Sequence, residues 1–180
     1  VRLVGSEMCI RDRIQEEKMV NSKAIVNIVG RITNSESAPC KKTLQKIVFL
    51  IEAKHIELGC DYGIHFYGPY SADLDFAVRE LCDEDILKIE YTPMEHLISV
   101  VDTDYAGGFN DDKINSVVDE FSKDSPSELE LLATALYVYL KAKDVSAVKQ
   151  GVIKIKGEKY SETRIDEAIK RLKRTGYITA

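Results

Sequence analysis

Apolar residues recur at helical spacing through the segment 41–58 and cover most of its circumference. One face carries Leu44, Ile47, Val48 and Ile51, which lie three or four positions apart. The other sides carry Phe49, Leu50, Ala53 and Ile56. A helix that is apolar on most sides is surrounded by other elements. The pattern therefore predicts a buried central helix, and Gly59 marks its end because glycine commonly follows the last helical turn.

The segment after this helix predicts a short strand, a corner and another helix. Apolar and polar residues alternate over 62–66, as in a strand with one buried face. The Gly68-Pro69 pair is expected to break that strand. Ser71 is a suitable N-cap for a helix over 72–81, because its hydroxyl can accept a hydrogen bond from the first turn.

The first half of the chain has the order of elements of a winged helix-turn-helix unit. An apolar stripe predicts a first helix over 22–32. Alternating segments over 87–91 and 97–101 flank a turn at 92–95 and predict a β-hairpin. Three helices followed by a hairpin form the winged helix-turn-helix layout, in which the hairpin is the wing.

The second half predicts further helices in a similar order. Ser125, Pro126 and Glu128 form a capping box at the start of a helix that runs to about residue 141. The other segments are a loop over 102–112, a helix over 114–121, a segment over 145–155 that is either a helix or a helix breaking into extended chain, a helix capped by Ser161 that ends at Gly176, and a strand over 177–179. We interpret this half as a second helix-turn-helix-like unit without a complete wing.

These elements predict a mainly α fold with a small β-hairpin, of the α+β class. The predicted division is a winged-helix-like unit over 14–104, a linker with a short helix over 105–124, and a helical unit over 125–180. Residues 1–13 resemble a translated sequencing adapter and are excluded as a non-native leader. The native start is then expected at or after Ile14, with Met19 as a candidate.

Composition places the chain among ordinary globular proteins. Hydrophobic residues make up 44% and charged residues 31% of the 180 positions. No apolar run approaches the ~20 residues of a membrane span, and no signal peptide is recognisable. The cysteines show no paired Cys-x-x-Cys spacing, which indicates unpaired thiols in a reducing cytoplasm.

Charge is unevenly distributed, and it suggests a nucleic-acid surface at the C-terminal end. The net charge is −5, but residues 141–180 carry eleven basic and five acidic side chains. Lysine and arginine bind phosphates by releasing counterions. The candidate DNA-binding residues are Arg164, Lys170, Arg171, Lys173 and Arg174. The alternative is a solvated helix face, since Asp166 with Lys170 and Glu167 with Arg171 are spaced as i,i+4 ion pairs.

The third predicted helix points to a protein partner instead. Acidic residues dominate its polar positions, so phosphate repulsion disfavours entry into a DNA groove. Tyrosines next to the Gly-Pro corner suit an interface. The candidate partner-binding residues are Tyr67, Tyr70, Asp73, Asp75 and Arg79. The alternative is that the carboxylates stabilise the helix start and the tyrosines pack internally.

The sequence predicts no catalytic residue, metal site or cofactor. The three histidines, His55, His65 and His96, have no carboxylate or cysteine at metal-ligand spacing. Gly107-Gly108 is not followed by the Lys-Ser/Thr of a phosphate-binding loop. We therefore expect a protein that is not an enzyme.

Three segments resemble the YwgA-type proteins and, more distantly, the Panacea-type antitoxin domain. The first contains Lys42, Leu44, Gln45 and Lys46, the second is Tyr67-Gly68-Pro69, and the third is LELLATALYVY over 129–139. The resemblance extends over about 23–178. It implies a winged-helix-like fold, and the Panacea relatives imply neutralisation of a toxin. No catalytic residue is implied.

Two hypotheses follow. The first is a winged-helix regulator that binds duplex DNA through its last helix. The second is an antitoxin-like module that binds a protein partner through the third helix and the Tyr-Gly-Pro corner. Winged-helix folds serve both uses, so the resemblance does not choose between them. The charge distribution supports the two hypotheses about equally, and we slightly prefer the regulator.

Overall fold

Seven α-helices and two β-hairpins form residues 19–179, the part of the chain that this computed structural model describes. In chain order they are α1 (Ser22–Ser35), α2 (Lys41–Glu52), β1 (Gly63–His65), β2 (Gly68–Tyr70), α3 (Ala72–Asp83), β3 (Leu87–Tyr91), β4 (His96–Val100), α4 (Asp112–Phe121), α5 (Pro126–Ala142), α6 (Ser146–Lys156) and α7 (Glu162–Arg174). A single 3₁₀ turn, Gly157–Lys159, links α6 to α7. The α+β class is confirmed. The proposed leader lies outside the described residues.

Helix α2 lies at the centre, as its apolar circumference predicts. Ile47, Val48, Leu50 and Ile51 are all fully buried. The helix packs against α4, α5 and β2, and the apolar cluster around it includes side chains from both halves of the chain. Among the described residues, no helix has both the length and the apolarity needed to cross a bilayer. The division into two units stays a prediction.

Helix α2 is shorter than predicted, because a side chain replaces its last turns. It ends at Glu52 rather than at residue 58. The Oε1 atom of Glu52 accepts hydrogen bonds from the backbone N–H of Leu58 at 2.8 Å and of Cys60 at 2.9 Å. His55 adopts φ +61°, which is incompatible with a continuing right-handed helix. The carboxylate thus orders the chain after α2 without helical hydrogen bonds.

The Gly-Pro corner does not break a strand but lies within one. Gly68 pairs with His65 and Pro69 pairs with Ile64, which leaves Phe66 and Tyr67 as the two-residue turn of a hairpin. The prediction was wrong because proline is tolerated in edge strands, where its missing N–H faces away from the ladder.

The other elements follow the predictions closely. Strands β3 and β4 pair from Leu87 with Val100 to Tyr91 with His96, and residues 146–156 form a helix. The strand predicted over 177–179 is wrong. The hydroxyl of Tyr177 instead donates a hydrogen bond to the carbonyl of Leu50 at 3.0 Å, so burial of this side chain fixes the segment. The winged-helix arrangement stays a prediction.

The capping box before α5 is confirmed, and it provides a first prediction. The Glu128 N–H donates to Ser125 Oγ at 3.3 Å, and the Ser125 N–H donates to Glu128 Oε2 at 3.0 Å. Ser125→Ala removes the acceptor for the first-turn N–H and should lower the free energy of unfolding by about 1 kcal/mol. Urea denaturation measures this change, with Ser37→Ala in the exposed loop between α1 and α2 as the control. Equal stability of the two variants would contradict the prediction.

Candidate functional site

The three segments that carry the family resemblance meet at the β1–β2 hairpin. The side-chain amide of Gln45 donates to the Ser71 carbonyl and accepts from the Ser71 N–H, both at 2.9 Å. Lys46 Nζ donates to the Pro69 carbonyl at 2.7 Å. Lys42 Nζ lies 4.0 Å from the centre of the Tyr67 ring, a cation–π distance. The polar residues of the α2 motif therefore all contact the segment from Tyr67 to Ser71.

A group of charges, buried except for Lys159, lies beneath this hairpin. We call it the Glu130 cluster, made of Lys46, Glu130, Lys156 and Lys159. Glu130 Oε1 lies 2.7 Å from the Nζ atoms of both Lys156 and Lys159. Lys156 Nζ also donates to the Phe66 carbonyl at 2.6 Å. The side chains of Glu130 and Lys156 are only 5% and 3% exposed, so these charges depend on one another for stability.

The surroundings lower the pKa of both Glu130 and Lys46, which favours the charged form of Glu130 and disfavours the charged form of Lys46. Burial alone disfavours the Glu130 carboxylate, but hydrogen bonds from Lys156 and Lys159 outweigh it and hold its pKa below the ordinary value. Burial lowers the pKa of Lys46 to about 8; the Glu130 charge opposes this change, and the Lys156 and Lys42 charges reinforce it. Lys46 is therefore still protonated at neutral pH, and burial of its charge lowers the stability of the folded state.

This shift gives Lys46 a defined effect on stability above pH 8. Well below pH 8, Lys46 is protonated in both the folded and unfolded states. Between pH 8 and its ordinary pKa of 10.5, the unfolded chain binds a proton that the folded chain has lost. The free energy of unfolding contributed by this group therefore rises with pH.

From pH 7.5 to 9.5, wild type should gain about 2 kcal/mol relative to Lys46→Met. The measurement is urea denaturation at the two pH values, with exposed Lys154→Met as the matched control. The range stops below pH 10 because burial raises the pKa of Tyr62 and Tyr177, whose ionisation in the unfolded state has the opposite effect. Parallel pH profiles for wild type and Lys46→Met would refute the prediction.

Above the cluster, large apolar side chains point into solvent. Phe66 is 83% exposed, Tyr67 47% and Met94 90%. Tyr67, Met94 and His96 line a cavity of about 270 Å³ that also touches Lys42, so the turns of the two hairpins lie on one side of the molecule. We call this surface the hairpin face, made of Lys42, Phe66, Tyr67, Met94 and His96. Apolar side chains exposed together are typical of an interaction site.

The five predicted partner-binding residues have different environments. Tyr67 belongs to the hairpin face, whereas Tyr70 is half-buried with its ring 4.8 Å from that of His65. Asp75 is 9% exposed and pairs with Lys41 at 2.6 Å and Arg79 at 2.5 Å. Asp73 is exposed and accepts a hydrogen bond from the Asp61 N–H. Tyr67 is therefore exposed, whereas Asp75 forms ion pairs within the protein. A partner role for all five residues stays a prediction.

The predicted DNA-binding residues are spread around α7. Lys170, Lys173, Arg174 and Arg164 are exposed, and the Arg164 guanidinium lies 5.7 Å from the Tyr160 ring centre. Arg171 is less accessible, and its NH1 lies 2.7 Å from Asp124 Oδ1. The hydrogen bond that Arg171 donates to Asp124 raises the pKa of Arg171. A nucleic-acid role for these residues stays a prediction.

The i,i+4 ion pairs predicted within α7 are wrong in their partners. Asp166 pairs with Lys149 of α6 at 2.7 Å. Arg171 pairs with Asp124 and, at 3.4 Å, with Glu120. Both side chains pair with opposite charges outside α7, because α7 packs against α5 and α6. This leaves Lys170 without an ion pair among the described residues.

The described residues hold no group of three His, Cys, Asp or Glu side chains placed to bind a metal ion. His55 lies in the turn after α2, His65 in β1 and His96 at the start of β4. The residues that sequence reasoning missed are Glu130, Lys156 and Lys159. The one available signal was Glu130, an acidic residue within an otherwise apolar stretch of α5.

Comparison with known proteins supports the stronger of the two resemblances. No family model matches the chain. Over 137 residues it is 26% identical to "uncharacterized protein YwgA" of Bacillus subtilis (strain 168). The alignment covers 72% of this chain and 82% of that protein. The chain is thus similar to YwgA over most of its length. The link to the Panacea-type antitoxin domain stays a prediction.

Proposed function

We propose that this YwgA-like chain is a non-catalytic regulatory protein of winged-helix type that binds a protein partner through the hairpin face, in the manner of an antitoxin. The observation that carries the proposal is the exposure of Phe66 and Met94, at 83% and 90%. Side chains of this size lose apolar contact with water when a partner covers them, which stabilises the complex.

The construction beneath the hairpin supports this proposal. Lys46 and Lys156 each donate a hydrogen bond to a hairpin carbonyl from a buried position. A turn held by fixed donors presents Phe66 and Tyr67 with little loss of conformational entropy on binding, which favours affinity. Aromatic side chains held in this way are common binding hot spots.

The test is co-purification of a partner with the tagged full chain from its native cells. Wild type is compared with Phe66→Ser/Tyr67→Ser and with Val101→Ser, a control that removes an exposed apolar side chain outside the hairpin face. We expect one protein to co-purify with wild type and the control and to be depleted at least tenfold by the double variant. A partner retained equally by all three would contradict the proposal.

Duplex DNA remains the second candidate ligand, through α7. The observation that favours it is the exposure of Lys170 and Lys173, neither of which forms an ion pair within the described residues. It ranks second because Asp124 and Glu120 neutralise Arg171, and because the net charge of −5 repels phosphate.

The DNA hypothesis is tested by fluorescence anisotropy with a labelled 30-base-pair duplex at 50 mM and 200 mM salt. If it holds, Lys170→Glu/Lys173→Glu weakens binding and flattens its salt dependence. The control is Lys23→Glu/Lys113→Glu, which changes the same charge at exposed sites on α1 and α4. Absence of salt-sensitive binding by wild type would exclude this function.

A further inference from the structure

The start of α2 has an unusual charge pattern for a helix N-terminus. Its first turn contains Lys41 and Lys42 and no acidic residue, and the N-cap residue Cys40 makes no side-chain capping hydrogen bond. The N-terminal end of a helix carries partial positive charge, so cations there are unfavourable and anions favourable. Lys41 is paired with Asp75 at 2.6 Å, so the positive potential at this end of α2 comes from Lys42 and from the helix dipole.

The same helix end opens onto the hairpin face. Cys40, Lys41 and Lys42 line the 270 Å³ cavity together with Tyr67 and Met94. This volume is near the lower limit of small-molecule pockets, about 300 Å³, and suits a single apolar side chain. The positive potential and the exposed apolar side chains thus occupy one surface.

Two ammonium groups flank the exposed Tyr67 ring. Lys42 Nζ lies 4.0 Å and Lys159 Nζ 6.0 Å from the ring centre. Lys159 is paired with Glu130, whereas Lys42 forms no ion pair with a described carboxylate. Glu95 is the acidic residue that lines the same cavity. Lys42 is therefore the cation whose charge is most available to a partner.

We infer that the hairpin face binds an acidic segment of a protein partner that carries one apolar anchor side chain. The anchor enters the cavity between Tyr67 and Met94, and carboxylates beside it meet Lys42 and the N-terminal end of α2. This inference rests on the proposed function and adds the chemical class of the partner. A protein segment fits better than a nucleic acid, because a peptide can place its carboxylates at Lys42 and away from Glu95, whereas the phosphates of a nucleic acid follow one another without a break.

The probe is a displayed library of random 12-residue peptides selected on the immobilised full chain. We expect enriched peptides to contain aspartate or glutamate next to one aromatic or aliphatic residue. The best peptide is then labelled and measured by fluorescence anisotropy. Lys42→Glu should weaken its binding about tenfold or more, because it converts attraction into repulsion. Lys113→Glu, the same change in the exposed first turn of α4, is the control and should leave the affinity unchanged.

Lys42→Glu also separates binding from folding. Glutamate is favourable in the first turn of a helix, so the melting temperature should stay the same or rise while binding falls. A second variant, Lys42→Gln, should weaken binding by a smaller factor. This opposite movement of stability and affinity is not expected of a residue with a purely structural role.

Several outcomes would overturn the inference. These are enrichment of neutral or basic peptides, unchanged affinity in Lys42→Glu, and tighter binding of a labelled twelve-nucleotide single strand or of anionic vesicles than of any peptide. If the native partner is lost from Phe66→Ser/Tyr67→Ser but retained by Lys42→Glu, the proposed function stands and only the acidic character of the partner is wrong.

Discussion

Replacing Glu130 with glutamine is expected to lower the free energy of unfolding by about 3–5 kcal/mol. The change leaves Lys156, whose side chain is 3% exposed, without its buried counter-charge. It also removes the charge that opposes deprotonation of Lys46. An unpaired buried cation is far less stable than the same cation in water, so the loss exceeds that of an ordinary hydrogen bond. Urea denaturation at pH 7 measures it.

The matched control is Glu162→Gln, which removes a carboxylate that is 72% exposed and 3.6 Å from Lys149. Its effect should be close to experimental error, because exposed ion pairs contribute little to stability. Adding Lys156→Met to Glu130→Gln should recover part of the loss, since the uncompensated charge is then absent. Similar stabilities for Glu130→Gln and Glu162→Gln would show that the cluster does not stabilise the fold as described.

Replacing Gly68 with alanine should be the second most damaging change, at about 2–5 kcal/mol. Gly68 has φ +87°, and a Cβ atom there would lie 2.8 Å from Thr134 Oγ1. The positive φ costs a non-glycine residue about 1–2 kcal/mol, and crowding in a packed interior adds about 1–3 kcal/mol. The Tyr-Gly-Pro motif therefore contains glycine because the hairpin lies directly on α5.

Gly108→Ala separates the two contributions. Gly108 has φ +74°, but a Cβ atom there would meet nothing within 4 Å. Gly108→Ala should lower the free energy of unfolding only by the cost of the positive φ, about 1–2 kcal/mol. The difference between the two variants then measures the effect of the contact with Thr134. Thr134→Ala should reduce the additional loss in Gly68→Ala. Equal destabilisation by the two glycine variants would mean that the hairpin does not pack as closely on α5 as described.

Local signals predicted most of the fold. The capping box at Ser125 and the apolar stripes of α1, α5 and α7 are patterns contained within one helix, so spacing alone identifies them. The β3–β4 hairpin also has its own alternation and turn. The segments that were predicted wrongly depend on contacts between residues far apart in the chain. The last residues lack a strand because the Tyr177 hydroxyl reaches Leu50, which is 127 positions away in the chain.

The candidate site was only partly predictable. Tyr67 was identified from the tyrosines near the Gly-Pro corner, and the structure places it on an exposed face. Asp75 was also predicted to be an acidic surface residue, yet it forms ion pairs with Lys41 and Arg79. A sequence gives the charge of each side chain but not its partner. Glu130, Lys156 and Lys159 meet only through the packing of α5 against α6.

The most direct test of the hairpin face places a photoreactive phenylalanine analogue at position 66 in living cells. A second sample carries it at position 170 on α7, which is also exposed. The proposed function predicts one discrete protein crosslink from position 66 and none from position 170. Crosslinks to DNA from position 170, with none to protein from position 66, would contradict the assignment of the hairpin face as the binding surface.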